Sequence, residues 1–258
     1  MPMEFYYHEN NLQGKITKNY GKQTEIFNKF KIEYYDKYKQ KQLSINKINT
    51  ESISEKVKLL NKYYKEIDLF LLEKDWITTQ SKIRSTILEE FCGFLFKDLS
   101  IIKKLNLGFF NKKVYAGLAI NNQGKVFPKT KDVDFCIGKE ISVDFGGEKH
   151  TIILPIIAIE CKTWLDKTMF SEAQFTAQKL KQGSPNVKVY VLAGYSGIDK
   201  KEVPSKGQTP IDQVFLIGDT RNKVDEIAIW DFFQEIEADL IKITSSSEIR
   251  EIGKLLPE

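Results

Sequence analysis

A chain of 258 residues, 41% hydrophobic and 29% charged, has the make-up of a folded protein and excludes a disordered polyelectrolyte. With 39 basic residues against 35 acidic ones the net charge is only +4, so composition alone identifies no polyanionic partner. Cys92, Cys136 and Cys161 have no C-x-x-C spacing; they exclude a disulfide framework and a zinc ribbon and are read as the reduced thiols of a cytoplasmic protein. The N-terminal MPMEFYYHEN has no basic segment leading into an apolar run, and no stretch approaches the roughly 20 apolar residues of a membrane span, so no membrane association is expected.

Eight of the eleven tyrosines fall in the first 75 residues, and residues 1–78 are expected to form an N-terminal helical lobe ahead of a catalytic core at 79–258. Phe27, Phe30, Tyr34 and Tyr38 recur at helical spacing, and a second helix carries Val57, Leu60, Tyr64, Ile67 and Leu71 behind a capping box of Ser52 and Glu55. The lysines of the segment from Tyr34 to Lys41 are read first as a solvated face, with phosphate contact as the alternative.

From Lys82 the order of elements carries more information. A helix is expected over roughly Lys82 to Asp98, then strands near Lys112 to Ile120 and Asp132 to Gly138, paired as a hairpin through the turn residues NNQG at Asn121 to Gly124. Further strand pattern covers Ile141 to Phe145 and Thr151 to Lys162 around Gly146 and Gly147. Ser171 and Gln174 suggest a capping box for a helix to about Gln182, Val187 to Ala193 reads as a buried strand, and a strand VFLIG ends at Gly218. A last helix from about Asp225 to Ile243 carries Ile227, Trp230, Phe233, Ile236, Glu237 and Leu240. The order α, β, β, β, α, β predicts an α/β fold, a mixed sheet flanked by helices with its site at strand ends.

Strand phase selects the chemistry. In the run ending at Lys162, Ile156, Ala158, Glu160 and Lys162 share one face, and Ile157, Ile159 and Cys161 the other. A glutamate and a lysine ending an apolar strand are costly to bury separately, yet together they can hold a metal and a water. The upstream KDVDFCIG supplies Asp132 and Asp134; Asp134, which leads directly into the apolar strand, is the preferred metal ligand, and Asp132 is read as a turn residue. Magnesium takes hard oxygen ligands and needs only one or two carboxylates beside water and a substrate phosphate. Lys162 would orient or deprotonate the attacking water and offset charge on phosphorus. Burial and a metal would lower its pKa and the carboxylates would raise it, leaving the sign open. In the helix holding ILEEF, taking Ile87 as reference, Glu90 borders the buried face and is expected to complete the site as a third carboxylate, while Glu89 is expected to point into water. His8 and His150 lack metal-ligand spacing, and the GYSG at Ser196 is not a nucleophile elbow.

These residues resemble the PD-(D/E)-x-K nuclease superfamily over about Lys82 to Ala193, with Asp134 matching its aspartate, Glu160, Cys161 and Lys162 its E-x-K, and Val133 standing where proline is usual. STILEEF, KDVDFCIG and IECKTWLDKTMF are more narrowly similar to type II restriction endonucleases that cut within CTNAG or CCTNAGC. The resemblance implies magnesium-dependent, sequence-specific double-strand cleavage of DNA leaving 5′-phosphate ends. Asp134, Glu160, Lys162 and Glu90 would be catalytic, and Asp134, Glu160, Glu90 and the backbone carbonyl of Cys161 the metal ligands. Asp166, Lys167 and Gln178 would lie nearby. Two cuts in duplex DNA imply two active sites, expected from a homodimer, with a heterodimer as the alternative; the N-terminal lobe would clamp DNA or serve that contact. The competing readings are a repair or junction-resolving nuclease on the same core and a catalytically silent DNA-binding module.

Overall fold

The computed structural model describes residues 5–18, 21–74, 76–77, 82–199, 201, 204–205, 207–219 and 223–244. The expected lobe boundary at 78 and 79 lies outside these residues. Among the described residues the strands form one mixed seven-stranded sheet in which β5 (Glu148–Lys162) is central. Along one edge β5 pairs antiparallel with β4 (Phe135–Phe145), and β1 (Gly108–Phe110) lies outside β4. Along the other edge its C-terminal half pairs in parallel with β6 (Lys188–Ala193), followed by β7 (Gln213–Leu216). The two-residue loop Gly146-Gly147 joins β4 to β5 with φ of 66° and 91°, a hairpin conformation that only glycine adopts without strain.

The NNQG turn closes a different hairpin from the one expected. It folds β2 (Val114–Ile120) back onto β3 (Val126–Lys131), and the strand after Asp132 pairs with β5 instead. Asn121 holds the turn, its side chain accepting from the N–H groups of Gln123 and Lys125 at 2.9 and 3.0 Å. β3 contains Pro128 and pairs only with β2; an edge strand tolerates a residue without an N–H. Strand phase also breaks once. A bulge opposite Gly138 and Pro155 turns Ile156 toward the larger core cluster instead of the face of Ala158 and Glu160.

The sheet is covered on both faces. On one, Phe135, Ile137, Ile157, Ile159, Tyr190 and Leu192 pack in the same cluster as Phe5, Leu12, Val57, Leu60, Phe91, Phe94, Phe232 and Phe233. These residues come from α1 (Tyr7–Lys18) and the residues before it, α4 (Thr50–Leu72), α5 (Thr86–Phe96) and α8 (Glu226–Thr244). On the other, Cys136, Ala158, Val189 and Val191 pack against Ala173, Ala177 and Leu180 of α7 (Lys167–Gly183). Short helices α2 (Lys22–Phe30), α3 (Asp36–Ser44) and α6 (Ser100–Lys104) complete the covering layers.

Several helix starts move from their predicted places because a stronger cap lies upstream. Asn49, accepting from the N–H of Ser52 at 2.8 Å, starts α4, so Ser52 and Glu55 are internal. Asp166, accepting from the N–H of Met169 at 2.7 Å, starts α7 four residues before Ser171. Between α2 and α3 the backbone winds as a π-helix over Lys31–Tyr35. That widened turn shifts the helical phase, so Tyr35 is buried and Tyr34 exposed, the reverse of the simple periodicity. In α8, Ile227 is 72% exposed while Ile229, Phe232, Phe233, Ile236 and Leu240 are buried.

A buried polar network ties α1 to α5. His8 is fully buried, its ring nitrogens 2.9 Å from the hydroxyls of Thr86 and Tyr63. Burial pushes its imidazole from 6.5 down to about 3. The unfolded chain therefore takes up a proton that the native protein excludes; the contribution is complete above pH 6.5 and is lost as pH falls from 6.5 toward 3. In urea titrations the unfolding free energy of the unmodified protein should fall relative to that of His8→Gln as pH drops below 6.5. Identical slopes would show that His8 is not held neutral.

Candidate active site

The C-terminal end of β5 carries Glu160 and Lys162 out of the core on the α7 side of the sheet. β4 begins beside it, with Phe135 opposite Ile159, so Asp134 arrives next to Glu160 across the strand pair. Lys162 Nζ donates to Asp134 Oδ2 at 3.0 Å and to Glu160 Oε2 at 2.9 Å, and Asp134 Oδ2 also accepts from the N–H of Cys161 at 2.9 Å. The three predicted side chains therefore meet. Asp134 and Glu160 line the floor of a cleft of about 1040 Å³, and Lys162 is bonded to both. One wall is α1, with Tyr7, Asn10 and Asn11; the opposite wall is α7, with Thr168, Ser171, Glu172 and Phe175; Lys82, Lys112 and Lys131 add positive charge to its lining.

The two glutamates of α5 exchange their predicted places. Glu90 is fully buried away from the cleft, its Oε2 accepting from the N–H groups of His8 and Glu9 at 3.0 and 3.2 Å and its Oε1 from Tyr35 Oη at 2.9 Å. It caps the first turn of α1, and burial pushes its carboxyl up to about 8 against those donors. Glu89 lines the cleft instead. Burial, then Asp134 and Glu160, raise Glu89 to about 8, opposed by Lys82 and Lys162. The physical reason is that α5 is buried on nearly every side, Leu88 as well as Ile87 and Phe91, so an apolar reference angle selects no single face. The signal that identifies Glu89 is polar: Lys82, Thr86 and Glu89 follow one another at helical spacing and all line the cleft.

Electrostatically the site is short of positive charge. Burial first and Asp134 second raise Glu160, with Lys162 opposing. On Lys162 burial acts downward, but the attraction of Asp134 and Glu160 outweighs it and the ammonium is held above its ordinary range. As it stands, Lys162 is a donor and counter-charge, not a base. Among the described residues no group of three or more His, Cys, Asp or Glu side chains converges to hold a metal ion. The paired oxygens of Asp134 and Glu160, drawn to one cationic point with Glu89 close enough to feel their charge, are a hard-oxygen donor set that fits a magnesium ion. Asp132 instead accepts from the N–H of Lys113 at 3.0 Å, as a turn residue does, and Asp166 caps α7. Asp166, Lys167 and Gln178 are not among the residues lining the cleft.

Comparison with known proteins supplies the class. A model of the Bpu10I restriction endonuclease family matches residues 80–232, more than half of the chain and all of the residues just described at the floor of the cleft. The chain belongs to the Bpu10I restriction endonuclease family, and so with the type II restriction enzymes. Among solved structures, a chain of the native BbvCI A2B2 tetramer superposes with a TM-score of 0.72 at 18% identity, over 94% of this chain and 98% of that one. No curated protein sequence matches this chain.

Substitution should separate the adjacent glutamates. Glu90→Ala strands three donors, each costing about 1–3 kcal/mol, and should strongly lower the unfolding free energy. Glu89→Gln replaces a carboxyl that burial and Asp134 already hold largely protonated at neutral pH, and should leave stability unchanged. Denaturant titration of both variants checks this; equal losses would mean that both carboxylates are structural.

Proposed function

We propose that the protein is a type II restriction endonuclease that hydrolyses both strands of duplex DNA at a specific sequence, of CTNAG type as its motifs suggest, leaving 5′-phosphate ends. The observation that carries this reading is the joining of Asp134, Glu160 and Lys162 at the ends of adjacent strands beside a cleft, in a chain of a restriction endonuclease family. Asp134 and Glu160 would hold magnesium, with the Cys161 carbonyl as a further ligand. Once bound, the ion supplies Lewis-acid polarisation of the phosphate and a more acidic water. Lys162 Nζ, charged and 2.9–3.0 Å from both carboxylates, faces the position where charge develops on the phosphate and offsets it. Glu89, with its carboxyl raised to about 8, is placed to exchange a proton with water on the cleft side. Lys82, Lys112 and Lys131 provide phosphate contacts that position the duplex.

Cutting both strands needs two such sites, supplied by a homodimer or by association with a second kind of chain. The A2B2 composition of the BbvCI assembly supports the second as strongly as symmetry supports the first. Sedimentation of the purified protein with and without duplex DNA distinguishes them.

Incubation of a sequenced plasmid with the protein and magnesium should yield discrete fragments whose mapped ends share one sequence. Asp134→Ala, Glu160→Ala and Lys162→Ala should each slow cleavage by at least about 100-fold. Nicking confined to branched or damaged DNA would point to a repair or junction-resolving nuclease, and binding without cleavage in magnesium or manganese to a silent module.

A further inference from the structure

The wall of the cleft formed by α1 has features that packing does not account for. At 100° per residue, Asn10, Asn11, Gly14 and Lys18 all fall within about 60° of Tyr7, so they form one stripe along the helix. Tyr7, Asn10 and Asn11 line the cleft, and Lys18 continues the stripe as an exposed cation. The opposite side of the helix is the one anchored to the protein, through buried Leu12 and His8. Two observations point to a ligand along this stripe. Gly14 sits within a 12-residue helix, where glycine is unfavourable, yet a Cβ added there meets nothing within 4 Å. No neighbour among the described residues requires the glycine. Asn10 is exposed and lines the cleft, so its amide is open to a ligand there.

We propose that α1 is a DNA-contacting helix: the sugar-phosphate backbone passes over Gly14, where the missing side chain permits close approach, while the Asn10 amide hydrogen-bonds the nucleic acid beside the cleft floor. This deepens the nuclease reading and rests on it. It gives the N-terminal helices a direct part in holding the substrate, opposite α7. Asparagine offers both a donor and an acceptor, and an exposed lysine at Lys18 completes a face suited to phosphate.

The test uses the full chain and a duplex containing the mapped cleavage site, with binding measured by fluorescence anisotropy without magnesium and cleavage measured with it. Gly14→Leu fills the open space with a better helix former, so the melting temperature should hold or rise while DNA affinity falls by at least about tenfold. Asn10→Ala, an exposed change, should weaken binding by about three- to tenfold at unchanged melting temperature. If both variants are folded and bind and cut like the unmodified protein, the proposal is overturned. If Gly14→Leu melts early, Asn10→Ala decides alone: weaker binding supports the contact and unaltered binding removes it. A failure of the unmodified protein to bind or cut any duplex instead overturns the nuclease reading itself.

Discussion

Two carboxylates, Asp134 and Glu160, meet on a single lysine at the ends of adjacent strands, with the Glu89 carboxyl within electrostatic reach, and the rest of the structure is arranged around that imbalance. Asp134 and Glu160 each hold Lys162 by a hydrogen bond, and Glu89 looks onto the same charges from α5. Repulsion among partly buried carboxylates would scatter them in a loop. Here two are fixed by the antiparallel register of β4 and β5 and the third by a helix packed on all sides, so the backbone cannot relax to separate them. A cluster held against its own repulsion is a preformed site for positive charge.

The strands that build this site were legible because their period is short and their composition extreme. The alternation that puts Glu160 and Lys162 opposite Cys161 survives in the structure, as does the lead of Asp134 into Phe135. What was not legible follows from physics that a one-dimensional pattern does not contain. β3 carries Pro128 and two lysines and has an exposed edge, so it lacks the apolar alternation of an inner strand. The π-turn over Lys31–Tyr35 adds a residue to one helical turn, and periodicity cannot register it in advance. Glu89 and Glu90 were assigned by the apolar angle of a helix that has no single apolar face.

The helices preceding the sheet do more than cover it. Phe5, Leu12, Tyr35 and Tyr63 belong to the same core cluster as Phe135 and Tyr190, and the buried acceptor Glu90 orients α1 by capping its first turn. Apolar contact alone would let such a helix slide; the two directional hydrogen bonds that Glu90 accepts at its N-terminus do not. The wall facing α7 therefore has a defined height and angle above the cleft floor.

Neighbours in sequence, Glu89 and Glu90 are carried by one helix, with one carboxylate gripping α1 and the other turned to the cleft. A rotation of α5 that loosened the first would swing the second by the same angle. The grip on α1 and the carboxyl in the cleft are thus the two ends of one axle, so a turn of α1 carried through Glu90 would reach the cleft through Glu89.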